Sequence, residues 1–279
     1  MGPSQAEKAR RFRALHERPG AFVIPNPWDV GTARILAGLG FEALATTSAG
    51  LAFTLGRRDS EGAVTREEAL AHASAIVEAT PLPVSADLEN GFGDAHETAA
   101  ETIRLAAEAG LVGASIEDAT GEPARPIYDF SHAVDRVTAA VEAARSLPFP
   151  FTLTARAENF LFGRADLDDT IQRLQAFEAA GADVLYAPGL RDLETIRTVC
   201  ASVTRPVNVV MGLAGAAVSV EELAGAGVKR ISLGSAFSRA ALGAFLRAAR
   251  EVKEHGTFTF AGTAATFSDL DPFMLGRDP

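Results

Sequence analysis

The segment Pro83-Val84-Ser85-Ala86-Asp87-Leu88-Glu89-Asn90-Gly91-Phe92-Gly93 is a short apolar run that ends in two carboxylates and then turns on glycines. In an extended strand, residues i and i+2 face the same way. Asp87 and Glu89 are therefore expected to aim at one spot. Crowded carboxylates repel each other unless a cation or a shared proton relieves them. An all-oxygen donor set suits a hard divalent cation, Mg²⁺ first, with Mn²⁺ as the alternative. Taken alone, the same pair could simply end a strand and start a turn.

Two further runs end alike. Residues 113–116 lead into Glu117 and Asp118, and residues 152–155 lead into Arg156 and Glu158. If the three runs are neighbouring strands, their ends present several acids and one arginine to one mouth. Asp87 is then the expected metal residue, with Glu89 and Glu117 completing the shell, largely through water. Arg156 offers a planar fork for a carboxylate or phosphoryl group. A 2-oxo acid chelated by the metal, with the arginine on its carboxylate, would have its developing enolate stabilised.

The elements that must position these residues alternate almost from end to end. Eight short apolar or β-branched runs lie at 22–24, 43–46, 84–86, 114–116, 151–155, 184–186, 207–210 and 230–233. Between them are Ala/Leu/Glu/Arg-rich stretches with apolar residues at helical spacing, such as 66–79, 98–110 and 167–181. Gly40, Gly110, Gly181 and Gly227 follow such stretches just before the next strand, where a glycine ends a helix. Eight evenly spaced units predict a (β/α)8 TIM-type barrel. A doubly wound open sheet is the alternative. A helix at 5–16 precedes the first strand and is expected to plug the barrel floor. Residues 1–255 are read as one barrel domain. The tail 256–279 carries Phe258, Phe260, Phe267, Phe273 and Met274 and is expected to pack on the barrel or on a partner subunit.

Composition and absences narrow the chemistry. A net charge of −10 argues against nucleic acid as a partner. No stretch is long and apolar enough for a membrane span, the N-terminus has no signal-peptide core, and a single Cys200 fits a reducing compartment, so a cytoplasmic location is expected. Lys8, Lys229 and Lys253 all lie away from the C-terminal strand ends, which disfavours a Schiff-base aldolase. His16, His72, His96, His132 and His255 fall in or near helices and are read as surface positions, so a histidine-ligated zinc site is not expected. Cys200 is read as a packing residue. The glycines of Met211-Gly212-Leu213-Ala214-Gly215 and of Gly234-Ser235-Ala236 leave a phosphate-binding barrel open as a competing reading.

The set Pro27-Trp28-Asp29, Gly56-Arg57-Arg58-Asp59, the run 86–93, Ser115-Ile116-Glu117-Asp118 and Thr154-Ala155-Arg156-Ala157-Glu158 resembles the isocitrate lyase/phosphoenolpyruvate mutase superfamily over about residues 15–250. The resemblance implies a Mg²⁺-dependent barrel that makes or breaks C–C or P–C bonds of 2-oxo acids or phosphonates through an enolate. It also implies a homotetramer, or a homodimer, with the last barrel helix swapped between subunits. By position, Thr47, Ser48 and Ala49 match the loop that holds the oxo-carboxylate end, and Asp59 matches an acid near the metal. Asp87, Glu89 and Glu117 match the metal acids, Arg156 the substrate arginine, and Asn208 a polar contact on strand seven.

Where the family's lyases carry a K-[KR]-C-G-H loop, this chain reads Ala119-Thr120-Gly121-Glu122-Pro123-Ala124-Arg125-Pro126-Ile127-Tyr128, without Cys, Lys or His. The mutase-type loop is missing too. Tyr186 stands where lyases show a glutamate and mutases a histidine. The resemblance therefore points away from isocitrate and methylisocitrate lyase and toward an oxaloacetate decarboxylase- or hydrolase-like reaction, with Arg125 and Tyr128 as candidates for the far carboxylate. A P–C bond enzyme, a phosphate-ester barrel and a catalytically silent oxo-acid binder are the alternatives.

Overall fold

A computed structural model describes residues 2–59, 62–212 and 218–275. Its eight strands are β1 (Phe22–Ile24), β2 (Leu44–Ala45), β3 (Val84–Asp87), β4 (Gly113–Glu117), β5 (Thr152–Arg156), β6 (Val184–Tyr186), β7 (Val207–Val210) and β8 (Arg230–Ser232). All pairs are parallel, in the order β1-β8-β7-β6-β5-β4-β3-β2. The helices are α1 (Gln5–Glu17), α2 (Val30–Gly38), α3 (Ser48–Thr54), α4 (Arg66–Ala79), α5 (His96–Glu108), α6 (Phe130–Arg145), α7 (Leu167–Ala179), α8 (Leu193–Ala201), α9 (Val220–Gly225), α10 (Ala236–His255) and α11 (Phe267–Met274). This is the expected (β/α)8 barrel, nearly closed.

Side chains and backbone complete the seam between β1 and β2. Ala45 N–H donates to Pro25 O at 3.1 Å. The buried Asn26 amide donates to Thr46 O at 2.9 Å, and its Oδ1 accepts from both Leu233 and Gly234 N–H at 2.9 Å. One side chain thus ties the C-terminal ends of β1, β2 and β8 together. The two N–H groups after β8 are satisfied by the protein itself. Residues 213–217, which carry part of the other glycine-rich segment, lie outside the described residues.

The floor is closed by α1. Ser4 and Glu7 form a reciprocal cap at its start. Its inner face carries Ala9, Phe12, Leu15 and His16, and the apolar members pack with Phe22, Ile24, Ala43 and Val112. Gly113 opens β4 at this point. A Cβ there would lie 2.9 Å from the Phe12 ring and 2.8 Å from Thr152 O, so only glycine lets helix and strands approach so closely.

His16 departs from the expected surface position. It is buried, its Nδ1 pairs with Phe12 O at 2.9 Å, and its ring meets Phe12 and Phe22 edge-on. The helical pattern missed this because a face that plugs a barrel has no solvent side. Burial, followed by the positive charges of Arg230 and Lys229, pushes the imidazole down to about 3. The folded value lies below the ordinary value near 6.5, so the unfolded chain takes up the proton first. The resulting stability is complete above pH 6.5 and is lost as pH falls toward 3. We expect His16→Leu to flatten this acid limb by up to about 4 kcal/mol, measured as the pH dependence of urea midpoints for the two proteins. Parallel curves would contradict it.

The C-terminal segment behaves differently from the barrel. In α10 only Ser238 is buried, while Phe245 is 67% exposed and Leu246 50%. The chain then turns back, and α11 lies on α2, with the Phe273 ring against Gly38 and Arg34 Nη1 donating to Met274 O at 2.9 Å. Phe258 and Phe267 remain exposed. No helix among the described residues is long and apolar enough to cross a membrane.

Candidate active site

The C-terminal ends of β3, β4 and β5 lie side by side, with Asp87 opposite Ser115 and Glu117 opposite Arg156 in the sheet register. That register brings the acids around one guanidinium. Arg156 Nη1 meets Asp87 Oδ1 at 2.9 Å, Nη2 meets Glu117 Oε2 at 3.0 Å, and Nε meets Glu158 Oε1 at 2.8 Å. The Arg156 carbon CZ sits 5.1 Å from the centre of the Tyr186 ring, its neighbour on β6. Asp87 is held further by Ser115 Oγ at 3.3 Å and by its own N–H on Thr46 Oγ1 at 3.0 Å.

Asp87 and Glu89 come together by a route other than strand alternation. β3 stops at Asp87, and Glu89 has φ = 47°, in the left-handed region that a residue other than glycine rarely enters. The turn is stabilised around it. Glu117 N–H donates to Glu89 O at 3.0 Å, and Phe92, also left-handed, donates its N–H to Asn90 Oδ1 at 3.0 Å. From α6, the buried Arg136 gathers the carbonyls of Asn90, Gly93, Asp94 and Ala95. Arg136 therefore positions the turn that carries Glu89 without reaching the site.

Electrostatics follow from this crowding. Burial, then repulsion from Asp87 and Asp59, pushes the Glu89 carboxyl up to about 7, against the pull of Arg156. Burial pushes Glu117 well up and Glu158 to about 7, with Arg156 opposing in both cases. The same three carboxylates keep Arg156 firmly charged against its own burial. Three acids sharing one arginine either carry excess negative charge or hold a proton that a cation would displace.

Two cavities open here. One, about 150 Å³, runs into the barrel and is lined by Thr47, Ser48, Ala49, Asp87, Asn208 and Arg230 among others. The other, about 880 Å³, spreads outward past Glu89, Glu117 and Glu158. Ser48, Asp59, Arg156 and Leu161 border both. A cavity of about 940 Å³ at the opposite end, lined by Arg13, His16 and Arg145, is remote from the acids. Thr47 caps α3 through Gly50 N–H at 3.3 Å, so Ser48 and Ala49 are first-turn residues whose N–H groups have no acceptor within the helix.

The structure thus gathers Thr47, Ser48, Ala49, Asp59, Asp87, Glu89, Glu117, Arg156 and Asn208. It leaves Arg125 apart, exposed on the loop after β4 and absent from the lining of both cavities. That loop folds on itself through an Ala119–Ile127 bridge and the Thr120 N–H to Pro126 O bond at 3.0 Å. Tyr128 is buried, donating its hydroxyl to Asp94 Oδ1 at 2.6 Å, so it holds the loop base, and it lines neither cavity. Cys200 is half-buried before β7 with its thiol pushed up to about 11 by burial, in keeping with a packing role.

Sequence reasoning put Glu158 and Tyr186 at the strand ends without pairing either with the arginine, and it missed Arg136 behind the turn and Arg230 inside the barrel. The register partner of Arg156 was the available signal for Tyr186, since adjacent strands of a barrel pair their ends.

The donor set fits a hard divalent cation. It is all oxygen, it crowds several carboxyl groups together, and Glu89 is pushed up by burial and then by the neighbouring acids that such a cation would offset. Among the described residues no three His, Cys, Asp or Glu side chains already converge as a ligand set. A cation here would take one or two protein oxygens and keep water, the habit of Mg²⁺.

Comparison with known proteins agrees with this geometry. The profile of the family described as phosphoenolpyruvate phosphomutase matches residues 12–253. A Burkholderia cenocepacia J2315 structure provisionally described as a lyase/mutase is 60% identical, with a TM-score of 0.95 and 99% of each chain covered. An oxaloacetate decarboxylase of Marinomonas sp. is 26% identical over 96% of this chain and 94% of its own. The structure of a 2,3-dimethylmalate lyase is 27% identical, with a TM-score of 0.84 over 96% of this chain and 97% of its own.

Proposed function

Because the chain belongs to the phosphoenolpyruvate phosphomutase family, within the isocitrate lyase/phosphoenolpyruvate mutase superfamily, we propose that it is a Mg²⁺-dependent enzyme that cleaves a C–C bond of a small 2-oxo acid. The observation that carries this reading is the Arg156 guanidinium ringed by Asp87, Glu117 and Glu158 beside a cavity of about 150 Å³. Asp87 and Glu117 would hold the cation, with Glu89 and Asp59 behind them. When bound, Mg²⁺ supplies positive charge beside the oxygen on which an enolate develops.

The chain's own residues do the rest. Arg156 and the first-turn N–H groups of Ser48 and Ala49 orient the oxo-carboxylate end. Leu161, at the border of both cavities, places an apolar side chain at the mouth. Asp87 and Glu117 oxygens are those that now engage Arg156, so metal and arginine compete for one set of carboxylates. Decarboxylation or hydrolytic cleavage of an oxaloacetate-like compound suits this chain best. Loss of CO₂ from a β-oxo acid needs charge stabilisation and no loop acid, and the loop 119–128 has no Cys, Lys or His. The relatives named oxaloacetate decarboxylase and 2,3-dimethylmalate lyase support C–C cleavage.

The test is product analysis by NMR on oxaloacetate and substituted malates, with Mg²⁺ and with EDTA. Metal-dependent appearance of pyruvate faster than with Mg²⁺ and no protein, or of oxalate with acetate, is expected. Turnover of phosphonates alone would replace this reading by the P–C one.

The exposed apolar stripe of α10 supports an assembly of this chain as a homotetramer or homodimer. Phe237, Leu242, Phe245 and Leu246 lie exposed on this one helix, more than a monomer ordinarily leaves open. Light scattering is expected to give a multiple of 29.2 kDa, and Phe245→Glu should shift it toward the monomer. A monomeric wild type would refute the assembly.

A further inference from the structure

One cation at the mouth is left unused by the site above. Among the described residues, Arg66 and Arg156 are the positively charged side chains that border the outer cavity of about 880 Å³, and the other charged residues of its lining are acids. Arg156 has little capacity to spare, because its three nitrogens already meet Asp87, Glu117 and Glu158. Arg66 is different. Among the described residues its guanidinium makes no hydrogen bond, and its one ion contact is Nε to Glu67 Oε1 at 3.7 Å. That contact is weak. Consecutive residues of a helix do not face each other, and Glu67 is 77% exposed, so water screens the attraction. The Arg66 side chain is itself 26% exposed, so a ligand can reach it.

The base of this side chain is fixed. Arg66 is the first residue of α4, whose start is held by the reciprocal Thr65–Glu68 cap. Glu68 is also committed to Arg57 at 2.6 and 2.8 Å. A cation in the first turn opposes the helix dipole, which favours acids there. Helix stability therefore does not account for an arginine at this position.

The far end of a substrate needs a partner, and Arg125 and Tyr128 line neither cavity. The acids of the outer cavity repel an anionic far group, and Arg66 is the cation left to receive it. Val64, Phe92, Leu161 and Phe162 give the same cavity apolar wall for the carbon atoms between the two ends. Its volume is within the range that takes drug-sized ligands, so there is room for an acid longer than four carbons.

We propose that Arg66 determines specificity by binding a second carboxylate at the far end of the substrate, so that the acid cleaved is a 2-oxo dicarboxylate. The proposal rests on the oxo-acid reading above and extends it to the other end of the ligand. The planar guanidinium can take that carboxylate through two parallel N–H donors.

The experiment is calorimetric competition against oxalate, with the full chain and Mg²⁺. It compares 3,3-difluorooxaloacetate, 2-oxoglutarate and 2-oxoadipate with the monocarboxylates 2-oxobutanoate, 2-oxopentanoate and 2-oxohexanoate. The wild type is expected to prefer the dicarboxylate by about tenfold or more in at least one matched pair. Arg66→Gln should erase that preference, and Arg66→Glu should turn it against the dicarboxylate. Both variants should bind oxalate as the wild type does, because oxalate is too short to leave the metal end. A wild type without preference in any pair, or an Arg66→Gln protein that keeps the preference, overturns the proposal and leaves the oxo-acid reading intact. Weakened oxalate binding in both variants would show that Arg66 acts through the fold, and overturns it as well. Absence of oxalate binding to the wild type with Mg²⁺ overturns the oxo-acid reading itself.

Discussion

Replacing Arg156 with alanine is expected to abolish oxo-acid binding and to destabilise the protein most at alkaline pH. Both effects come from the same geometry. The guanidinium is the shared partner of Asp87, Glu117 and Glu158 at 2.8–3.0 Å, and Glu158 is fully enclosed. Removing one member of a buried charge pair typically costs about 3–5 kcal/mol, because the survivor is left unpaired. Here three survivors remain, and Glu158 already stands near 7 with the arginine in place. Without it the acids protonate more readily still. The folded variant then binds protons that the unfolded chain, with ordinary carboxyls, does not, so its stability falls as pH rises through 7 and recovers toward pH 5. Urea denaturation at pH 5 and pH 8 reads this slope. On binding, loss of a buried charged donor to a carboxylate costs about 2–5 kcal/mol, or roughly 30- to 5,000-fold in affinity. Arg156→Lys should fold nearly normally but recover little binding, because an ammonium cannot meet a carboxylate through a planar fork. Unchanged affinity in Arg156→Ala would show that the ligand sits elsewhere.

The second large effect is expected at Asp87. Asp87→Asn keeps size and the N–H bond to Thr46 Oγ1 while removing the charge best placed for a cation. Metal-dependent stabilisation by Mg²⁺ should vanish, and kcat should fall by about 10³ or more, the several kcal/mol that a Lewis acid contributes to a developing oxyanion. Folding should survive, since the change relieves repulsion on Glu89, which burial first, and then Asp87 and Asp59, push up to about 7. A phosphate-ester barrel would behave otherwise: its ligand would bind in EDTA and in the Asp87→Asn protein alike. The structure already weighs against that reading on one side, because Leu233 and Gly234 N–H are taken by Asn26.

Much of the architecture was legible because it is local. Each strand is a few mostly apolar residues, and several helices end on a glycine. Gly40, Gly110, Gly181 and Gly227 indeed take φ between 86° and 101°. Strand ends were legible too, which placed Asp87, Glu117 and Arg156 at one mouth. What stayed hidden depends on closure. Arg230 reads as the first residue of an apolar strand, and only the closed barrel turns it inward to meet Thr154, 76 positions away. His16 looked like a surface residue because helical spacing cannot tell a solvent face from one that plugs a floor. The pairing of Asp87 with Glu89 was expected from strand alternation, whereas a left-handed Glu89 held behind by Arg136 produces it. Tyr128 and Arg125 belonged to a loop matching no familiar pattern. Its internal bonds, and the Tyr128 hydroxyl on Asp94, decide where they point.

The most direct measurement is calorimetric titration of oxalate, a planar stand-in for the enolate of pyruvate, into the wild-type protein with Mg²⁺ and again with EDTA. The proposed chemistry predicts saturable binding at one site per chain with the metal and a loss of at least a hundredfold in affinity without it. Equal affinity in Mg²⁺ and EDTA, or no binding in either, would contradict it.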